Sequence, residues 1–432
     1  MIWNKTKEAM DRKDLERLQE DRLIKQLTRV YHNVVPYREK MQEAGIHPLD
    51  ITSLKDLERL PFTYKEDLRL NYPFGLFAIA KSELVRVHAS SGTTGRATVV
   101  GYTRRDIEIW KECVARVLSM AGITRDDTIQ VSYGYGLFTG GLGLHYGGEN
   151  LGATVIPMST SNTKKQINMM IDLGATAIAS TPSYLQHIIE SLEEEGRLDG
   201  IKLRVAICGG EPWTDDMRRA IEEKTGIACY DIYGLSEIMG PGVAAECPYH
   251  QGLHIHEDHF YPEIIDPDTG EVLGEGETGE LVITTLTKEA LPLIRYRTGD
   301  LTSLTKAPCQ CGRTSLRISK FLGRSDDMLI IKGVNVFPSQ VETAIMEVID
   351  SPHYLIEVDR KGTTDSFDIS VEVPSQYFSD KIADIERLRK AIGKSVQNIV
   401  GLHANIRLVE PRALERTTGK ATRVIDKRKL GD

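Results

Sequence analysis

Leu15, Leu18, Leu23 and Leu27 recur among charged residues at the spacing of one helix face, so the chain opens on a helix over 11–31. Residues 52–70 read as short helices and turns around Pro61. Val85-Arg86-Val87-His88-Ala89 alternates as a half-buried strand does, and Thr98-Val99-Val100 reads as a second strand ending at Gly101. Thr103 with Asp106 three residues on is a capping-box start. Ile107, Trp110, Val114, Val117, Leu118 and Ala121 carry a helix from there to about Gly122. From Asp127 the texture changes. Apolar runs at 128–132, 153–156, 176–179 and 203–207 read as buried strands, with helical patterns at 165–173 and 183–195 between the later ones. That rhythm implies a parallel sheet covered by helices on its faces.

After Gly252 the pattern turns to β, with strands expected at 261–265, 279–285 and 293–296. A second change falls at Gly323-Arg324-Ser325-Asp326-Asp327. Beyond it come a helix from about Pro338, a hairpin pairing 354–359 with 367–373, a helix near 382–400 and a strand at 404–409. The fold expected is α/β. A large N-terminal domain, residues 1–325, holds parallel sheets flanked by helices plus a small β subdomain, and residues 326–432 form a small α+β C-terminal domain.

Composition narrows the functional classes. The 432 residues are 41% hydrophobic and 27% charged, which is globular, and the net charge of −8 argues against a nucleic-acid partner. No run of about 18 uncharged apolar residues offers a membrane span. The N-terminus leads into a charged amphipathic pattern with no apolar signal core, so the expected location is cytoplasmic. Six cysteines in a chain of this length do not make a disulfide framework. Cys113, Cys208 and Cys229 sit among apolar neighbours and read as small packed side chains.

Ser90-Ser91-Gly92-Thr93-Thr94-Gly95 cannot build core. It can build a tight loop whose backbone N–H groups and hydroxyls face an anion, or an ordinary hairpin turn. No Gly-x-x-x-x-Gly-Lys-Ser/Thr follows, which disfavours a Walker-type nucleotide site. Five further stretches accompany the loop: Cys208-Gly209-Gly210-Glu211-Pro212, Tyr233-Gly234-Leu235-Ser236-Glu237, Tyr296-Arg297-Thr298-Gly299-Asp300, Gly323-Arg324-Ser325-Asp326-Asp327 and Thr418-Gly419-Lys420. In this order they resemble the adenylate-forming enzymes: acyl-CoA synthetases, adenylation domains and firefly luciferase. The resemblance spans nearly the whole chain. Tyr133-Gly134-Tyr135-Gly136-Leu137-Phe138-Thr139-Gly140-Gly141, Ile238-Met239-Gly240-Pro241-Gly242, Gly252-Leu253-His254-Ile255 and the run 326–338 are similar to the phenylacetate–CoA ligase subfamily.

The resemblance implies a two-step reaction. A carboxylate attacks the α-phosphorus of ATP and releases pyrophosphate; the thiol of coenzyme A then displaces AMP from the acyl-adenylate. It further implies Mg²⁺ at Glu237 and a catalytic role for Lys420, which bridges the attacking carboxylate and the α-phosphate. Ser90, Ser91, Gly92, Thr93, Thr94 and Gly95 would hold phosphates. Gly210, Glu211 and Pro212 would flank the adenine, with Asp231, Tyr233, Gly234 and Ser236 close by. Asp300 would take the ribose hydroxyls, assisted by Arg324. Tyr135, Phe138, Ile232, Met239 and Pro241 would line an aryl pocket. Asp326 would be the hinge of a mobile C-terminal domain, whose rotation removes Lys420 and brings Lys332-Gly333 to the thiol channel. One departure stands out: Arg96-Ala97 replaces the Lys-Pro that often follows the loop, keeping the cation as a planar fork. The substrate expected is a small aromatic acid, phenylacetate first, and the assembly expected is a homodimer. The alternatives are a ligase for another aromatic acid and an adenylyltransferase of the coenzyme F390 synthetase type.

Cys309-Gln310-Cys311 is a tight thiolate pair, and Cys247 lies upstream with His250, His254, His256 and His259 after it. Three Cys and one His suit a closed structural Zn²⁺ site. His254, within Gly252-Leu253-His254-Ile255, is the expected fourth ligand and His250 the alternative.

Overall fold

The computed structural model describes residues 1–90, 98–324, 329–332, 334–349, 353–361, 364–374, 382–415 and 422–429. They form two compact units. The first comprises 1–180, 199–210 and 228–320; the second comprises 181–198, 211–227 and 321–432. The sequence division at 325/326 followed chain texture, whereas compactness groups residues by contact and draws the second unit from three stretches.

The first unit is organised around a nine-stranded sheet. Five parallel strands come first, in the order Thr154–Ile156, Thr128–Val131, Ala177–Ser180, Val205–Gly209, Ala228–Tyr233. Every residue of Ala177–Ser180 and Val205–Gly209 is buried, as expected of strands covered on both faces. The sheet then turns antiparallel through Ala244–Glu246, Leu253–Ile255, Arg317–Ile318 and Leu304–Thr305. The reversal is made after Tyr233, where the N–H groups of Ile238, Met239 and Gly240 all donate to the Leu235 carbonyl.

A separate antiparallel meander joins Phe260–Ile265, Gly279–Thr285 and Tyr296–Thr302. The strand expected at 293–296 is displaced: it begins at Tyr296 and runs on to Thr302. Pro292 and Arg295 explain the shift. Arg295 is left-handed at φ +47°, and its buried guanidinium binds Glu263 and the carbonyls of Glu58 and Leu60. An extended run cannot pass through that residue.

The helix Thr139–Leu151, inside a glycine-rich stretch, gave no clear sequence signal. Its glycines serve a close approach to the helix Arg104–Met120. A Cβ at Gly143 would stand 2.6 Å from the Trp110 ring, and one at Gly147 would stand 2.2 Å from Val114 Cγ1. Packing outweighs the poor intrinsic helix propensity of glycine here.

The second unit contains the helices Pro182–Glu194 and Asp215–Thr225 and an α+β body. The body has a four-stranded sheet in the order Asn405–Val409, Thr364–Glu372, Tyr354–Lys361, Val424–Asp426, with the helices Pro338–Met346 and Ile382–Val400. Ile356, Val358, Ile369, Val371, Ile392 and Val396 form its apolar centre. Among the described residues no helix is long and apolar enough to cross a membrane.

Candidate active site and metal centre

The strand Ala228–Tyr233 ends on Tyr233, and Tyr296–Thr302 carries Asp300; the two strands belong to different sheets. The Tyr233 hydroxyl donates to Asp300 Oδ2 at 2.6 Å, with both residues buried. That length is typical of a charge-assisted O–H···O⁻ bond. Gly299 is left-handed at φ +77° and donates its N–H to Glu280 Oε1 at 3.0 Å, which fixes the turn presenting Asp300.

The turn after Tyr233 places the next residues. At Gly234 a Cβ would lie 1.9 Å from the Gly240 carbonyl oxygen, so only glycine fits. Ser236 Oγ lies 2.9 Å from Thr139 Oγ1. The Met239 carbonyl accepts from the Tyr102 hydroxyl at 2.9 Å, and the Pro241 carbonyl accepts from Trp110 Nε1 at 2.8 Å. Ile232 is buried in its strand opposite Ala245. Tyr102 and Trp110 stack at 5.1 Å.

Glu237 is buried, and Lys65 Nζ stands 3.9 Å from its carboxylate. Sequence reasoning missed Lys65. It sits in the short helix Lys65–Leu70, in none of the six motifs, and only the fold carries it to Glu237. Lys288 was missed as well. It is fully buried, with Nζ 3.3 Å from the Tyr102 ring centroid and 3.8 Å from Met239 Sδ. Burial drives its pKa down to about 7 against the opposing pull of Asp106.

Tyr135 and Phe138 lie in the segment that enters the glycine-rich helix. The Tyr135 hydroxyl is 3.2 Å from His145 Nδ1, and His145 Nε2 is 3.1 Å from Glu149. Burial, reinforced by Glu149, raises the Tyr135 phenol well above its ordinary range. Phe138 is 43% exposed and covers Gly140, where a Cβ would meet its ring at 2.5 Å.

The remaining nucleotide candidates lie on several elements. Ser90 ends the strand Arg86–Ser90, opposite Thr98 of the antiparallel strand Thr98–Tyr102. Gly210 follows Val205–Gly209 at φ +85°, and the Asp231 N–H donates to Glu246 Oε2 at 3.1 Å. In the second unit, Glu211 Oε1 accepts from the Ser183 N–H at 2.8 Å and Pro212 follows it. Arg324 follows Gly323, and Lys332 is left-handed at φ +50°. Ser91, Gly92, Thr93, Thr94, Gly95, Asp326, Gly333 and Lys420 lie outside the described residues.

The cysteine–histidine set converges in the first unit. The ligand atoms of Cys247, His254, Cys309 and Cys311 all lie within 4.8 Å of one another. Cys247 Sγ is 3.6 Å from Cys309 Sγ, and Cys311 Sγ is 3.3 Å from His254 Nε2. A tetrahedral zinc ion with bonds of about 2.3 Å to sulfur and about 2.0 Å to nitrogen would set such atoms about 3.8 and 3.5 Å apart. The donors therefore fit the ion. His254 Nδ1 is 3.1 Å from Ser315 Oγ, which fixes the ring with Nε2 toward the thiols. Burial works against a Cys311 thiolate, but the hydrogen bonds from His254 and the Arg313 N–H outweigh it and lower its pKa; burial raises that of Cys247. His250 faces elsewhere, with Nδ1 3.2 Å from Glu246 and its ring stacked on Tyr230. His256 Nδ1 is 2.9 Å from the Gly242 carbonyl.

Residues 21–287 match the family model described as AMP-binding enzyme, more than half of the chain. The chain belongs to the AMP-binding enzyme family. Residues 333–428 of this AMP-binding enzyme match the model for the family's C-terminal domain. It is 48% identical to the phenylacetate-coenzyme A ligase of Thermus thermophilus, over 99% of this chain and 100% of that protein. It is 50% identical to the enzyme of the same name from Escherichia coli, over 96% of each. Among solved structures, it is similar to 2-hydroxyisobutyryl-CoA ligase in the postadenylation state, with a TM-score of 0.93 and 29% identity over 99% of this chain and 93% of that one. Against the same ligase in its thioesterification state the TM-score is 0.73. The α/β fold is that of the adenylate-forming ligases.

Proposed function

We propose that this enzyme ligates phenylacetate to coenzyme A, using ATP and releasing AMP and pyrophosphate. The observation that carries the reading is the 48–50% identity to four phenylacetate-coenzyme A ligases over 96–99% of the chain. The Tyr233–Asp300 bond is consistent with it, because it fixes a buried carboxylate where two sheets meet.

In the first half-reaction a carboxylate oxygen of the acid attacks the α-phosphorus of ATP. The bond between that phosphorus and the oxygen bridging to the β-phosphate breaks, and pyrophosphate leaves. Asp300 accepts from the ribose hydroxyls. Lys420 bridges the attacking carboxylate and the α-phosphate, where a preorganised cation is worth most. Lys65 adds positive charge near Glu237. Glu237 is a hard oxygen donor suited to Mg²⁺, which neutralises phosphate charge when bound. Tyr135, Phe138, Ile232, Met239 and Pro241 line the acyl pocket, whose aromatic and apolar character suits an aryl group. In the second half-reaction the thiol of coenzyme A attacks the acyl carbon, the acyl–phosphate bond breaks and AMP leaves. The C-terminal domain, residues 326–432, turns about Asp326 between the steps, withdrawing Lys420 and bringing in Lys332-Gly333. The existence of a related ligase in postadenylation and thioesterification states supports this cycle. Cys247, His254, Cys309 and Cys311 hold a structural Zn²⁺, supported by the match of their spacings to tetrahedral coordination. The enzyme works in the cytoplasm as a homodimer.

A panel of carboxylic acids, assayed for pyrophosphate and AMP release with and without coenzyme A, tests the proposal. Phenylacetate should give the highest kcat/KM, and AMP turnover should require coenzyme A. AMP transfer without coenzyme A would favour the adenylyltransferase instead. Light scattering reads the dimer, and cell fractionation reads the location.

A further inference from the structure

The segments that carry the cysteine–histidine ligands also grip the N-terminus. Arg313, two residues past Cys311, is buried; its Nε donates to Glu8 Oε2 at 2.7 Å and its Nη2 to the Met1 carbonyl at 2.5 Å. Thr314 donates its N–H to the Glu8 carbonyl at 3.1 Å and its hydroxyl to the Met10 carbonyl at 2.7 Å. Three residues past His254, the buried Glu257 accepts two 2.8 Å bonds from Arg12 Nη1. Its carbonyl accepts from Gln19 Nε2 at 2.9 Å. Glu257 also accepts from the Leu316 N–H at 2.6 Å, tying the two ligand-bearing segments together.

Other hydrogen bonds hold the 306–316 segment mainly at its ends: the Lys306 N–H donates to Glu275, the Ala307 carbonyl accepts from Arg317 and the Leu316 carbonyl accepts from the Ile255 N–H. The segment runs between the two-residue strands Leu304–Thr305 and Arg317–Ile318 and contains no helix or strand of its own. An irregular stretch of this kind carries a large conformational entropy penalty when held in one geometry. A buried Arg–Glu pair such as Arg313–Glu8 is favourable only where both groups are held in register. A metal cross-link from Cys309 and Cys311 to Cys247 and His254 supplies the restraint, because metal binding energy becomes folding energy for the segment it closes.

We infer that zinc at Cys247, His254, Cys309 and Cys311 is a clamp: it orders the 306–316 segment, and through Arg313, Thr314 and Glu257 that segment and its strand neighbour hold residues 1–19 on the first unit. The clamp rests on the zinc reading proposed above. Loss of zinc releases the N-terminal segment before it affects the parallel strands Ala177–Ser180 and Val205–Gly209 of the nine-stranded sheet.

The test is zinc analysis combined with hydrogen exchange read by mass spectrometry on the full-length protein. Purified without added metal, the protein carries about one zinc per chain. Stripping with a chelator and a thiol reductant accelerates exchange in peptides covering 1–19 and 306–316 by about tenfold or more. Peptides covering 177–180 and 205–209 keep their protection, and added Zn²⁺ restores the rest. Arg313→Met loosens 1–10 while the zinc content stays near one. A zinc content near zero overturns both the metal reading and the clamp. Full zinc occupancy with unchanged exchange at 1–19 after stripping overturns the clamp alone. So does exchange that rises equally in the sheet strands, which would make zinc a global rather than a local element.

Discussion

Lys288 is the sharpest energetic test of the first unit. A lysine is almost never fully buried without a close anionic partner. Here the ammonium is fully buried, above the Tyr102 ring and beside the Met239 sulfur. Its pKa falls from 10.5 to about 7. That difference corresponds to a penalty of about 5 kcal/mol when the group is charged in both folded and unfolded chains. The sign follows from linkage. Between pH 7 and 10.5 the unfolded chain binds more protons than the folded one, so stability rises with pH through that window. By pH 9 the penalty has shrunk to about 2 kcal/mol. Lys288→Met keeps the length of the side chain and removes the charge; the cation–π contact it gives up belongs to the charged form alone, so its energy is already contained in the lowered pKa. The variant should therefore be more stable than the parent by about 4 kcal/mol at pH 7 and by about 2 kcal/mol near pH 9. Urea unfolding followed by tryptophan fluorescence is the assay, since Trp110 stacks on Tyr102 and reports this region. A variant less stable than the parent at pH 7, or a gain equal at both pH values, would refute the reasoning.

The other predictions concern the site. Lys420→Ala should reduce acid-dependent pyrophosphate exchange by about a hundredfold or more, while thioester formation from a supplied acyl-adenylate is largely spared; equal loss of both half-reactions would sink the two-conformation cycle. Tyr233→Phe removes a buried bond to a carboxylate worth about 1.5–3 kcal/mol, so the KM for ATP should rise at least tenfold with little change in the KM for the acid. Lys65→Met should slow pyrophosphate exchange about tenfold, and an unchanged rate would leave Lys65 a bystander. Gly234→Ala forces a methyl group into the Gly240 carbonyl, so soluble yield or melting temperature should fall sharply; a normally folded variant would contradict the close approach.

Most of the secondary structure was legible because its periodicities are strong. The strand runs at 128–132 and 203–207 and the helix from Thr103 stand close to where the patterns put them. The failures have local causes. The 293–296 run lost its strand to a left-handed Arg295 that satisfies two distant carbonyls, and a helix of five glycines was hidden because its reason for existing is a neighbouring helix. In the candidate site, Tyr233, Glu237 and Asp300 stood in motifs, whereas nothing local marked Lys65, which the fold brings to Glu237, or the buried Lys288, since a lone lysine carries no local signal.

By itself, then, the chain's own order of apolar runs and motif residues determined the α/β class, the adenylate-forming resemblance and the set of cysteines and histidines worth watching. Those properties are local: they depend on neighbours a few residues apart. Only the tertiary structure decided that Tyr233 donates to Asp300 across two sheets, that Lys65 stands beside Glu237, and that His254 rather than His250 joins the three cysteines. Each of those pairs spans dozens of residues or more, or turns on which way a ring is held by a distant partner. Such distances are set by sheet order and packing, which no short window of sequence contains.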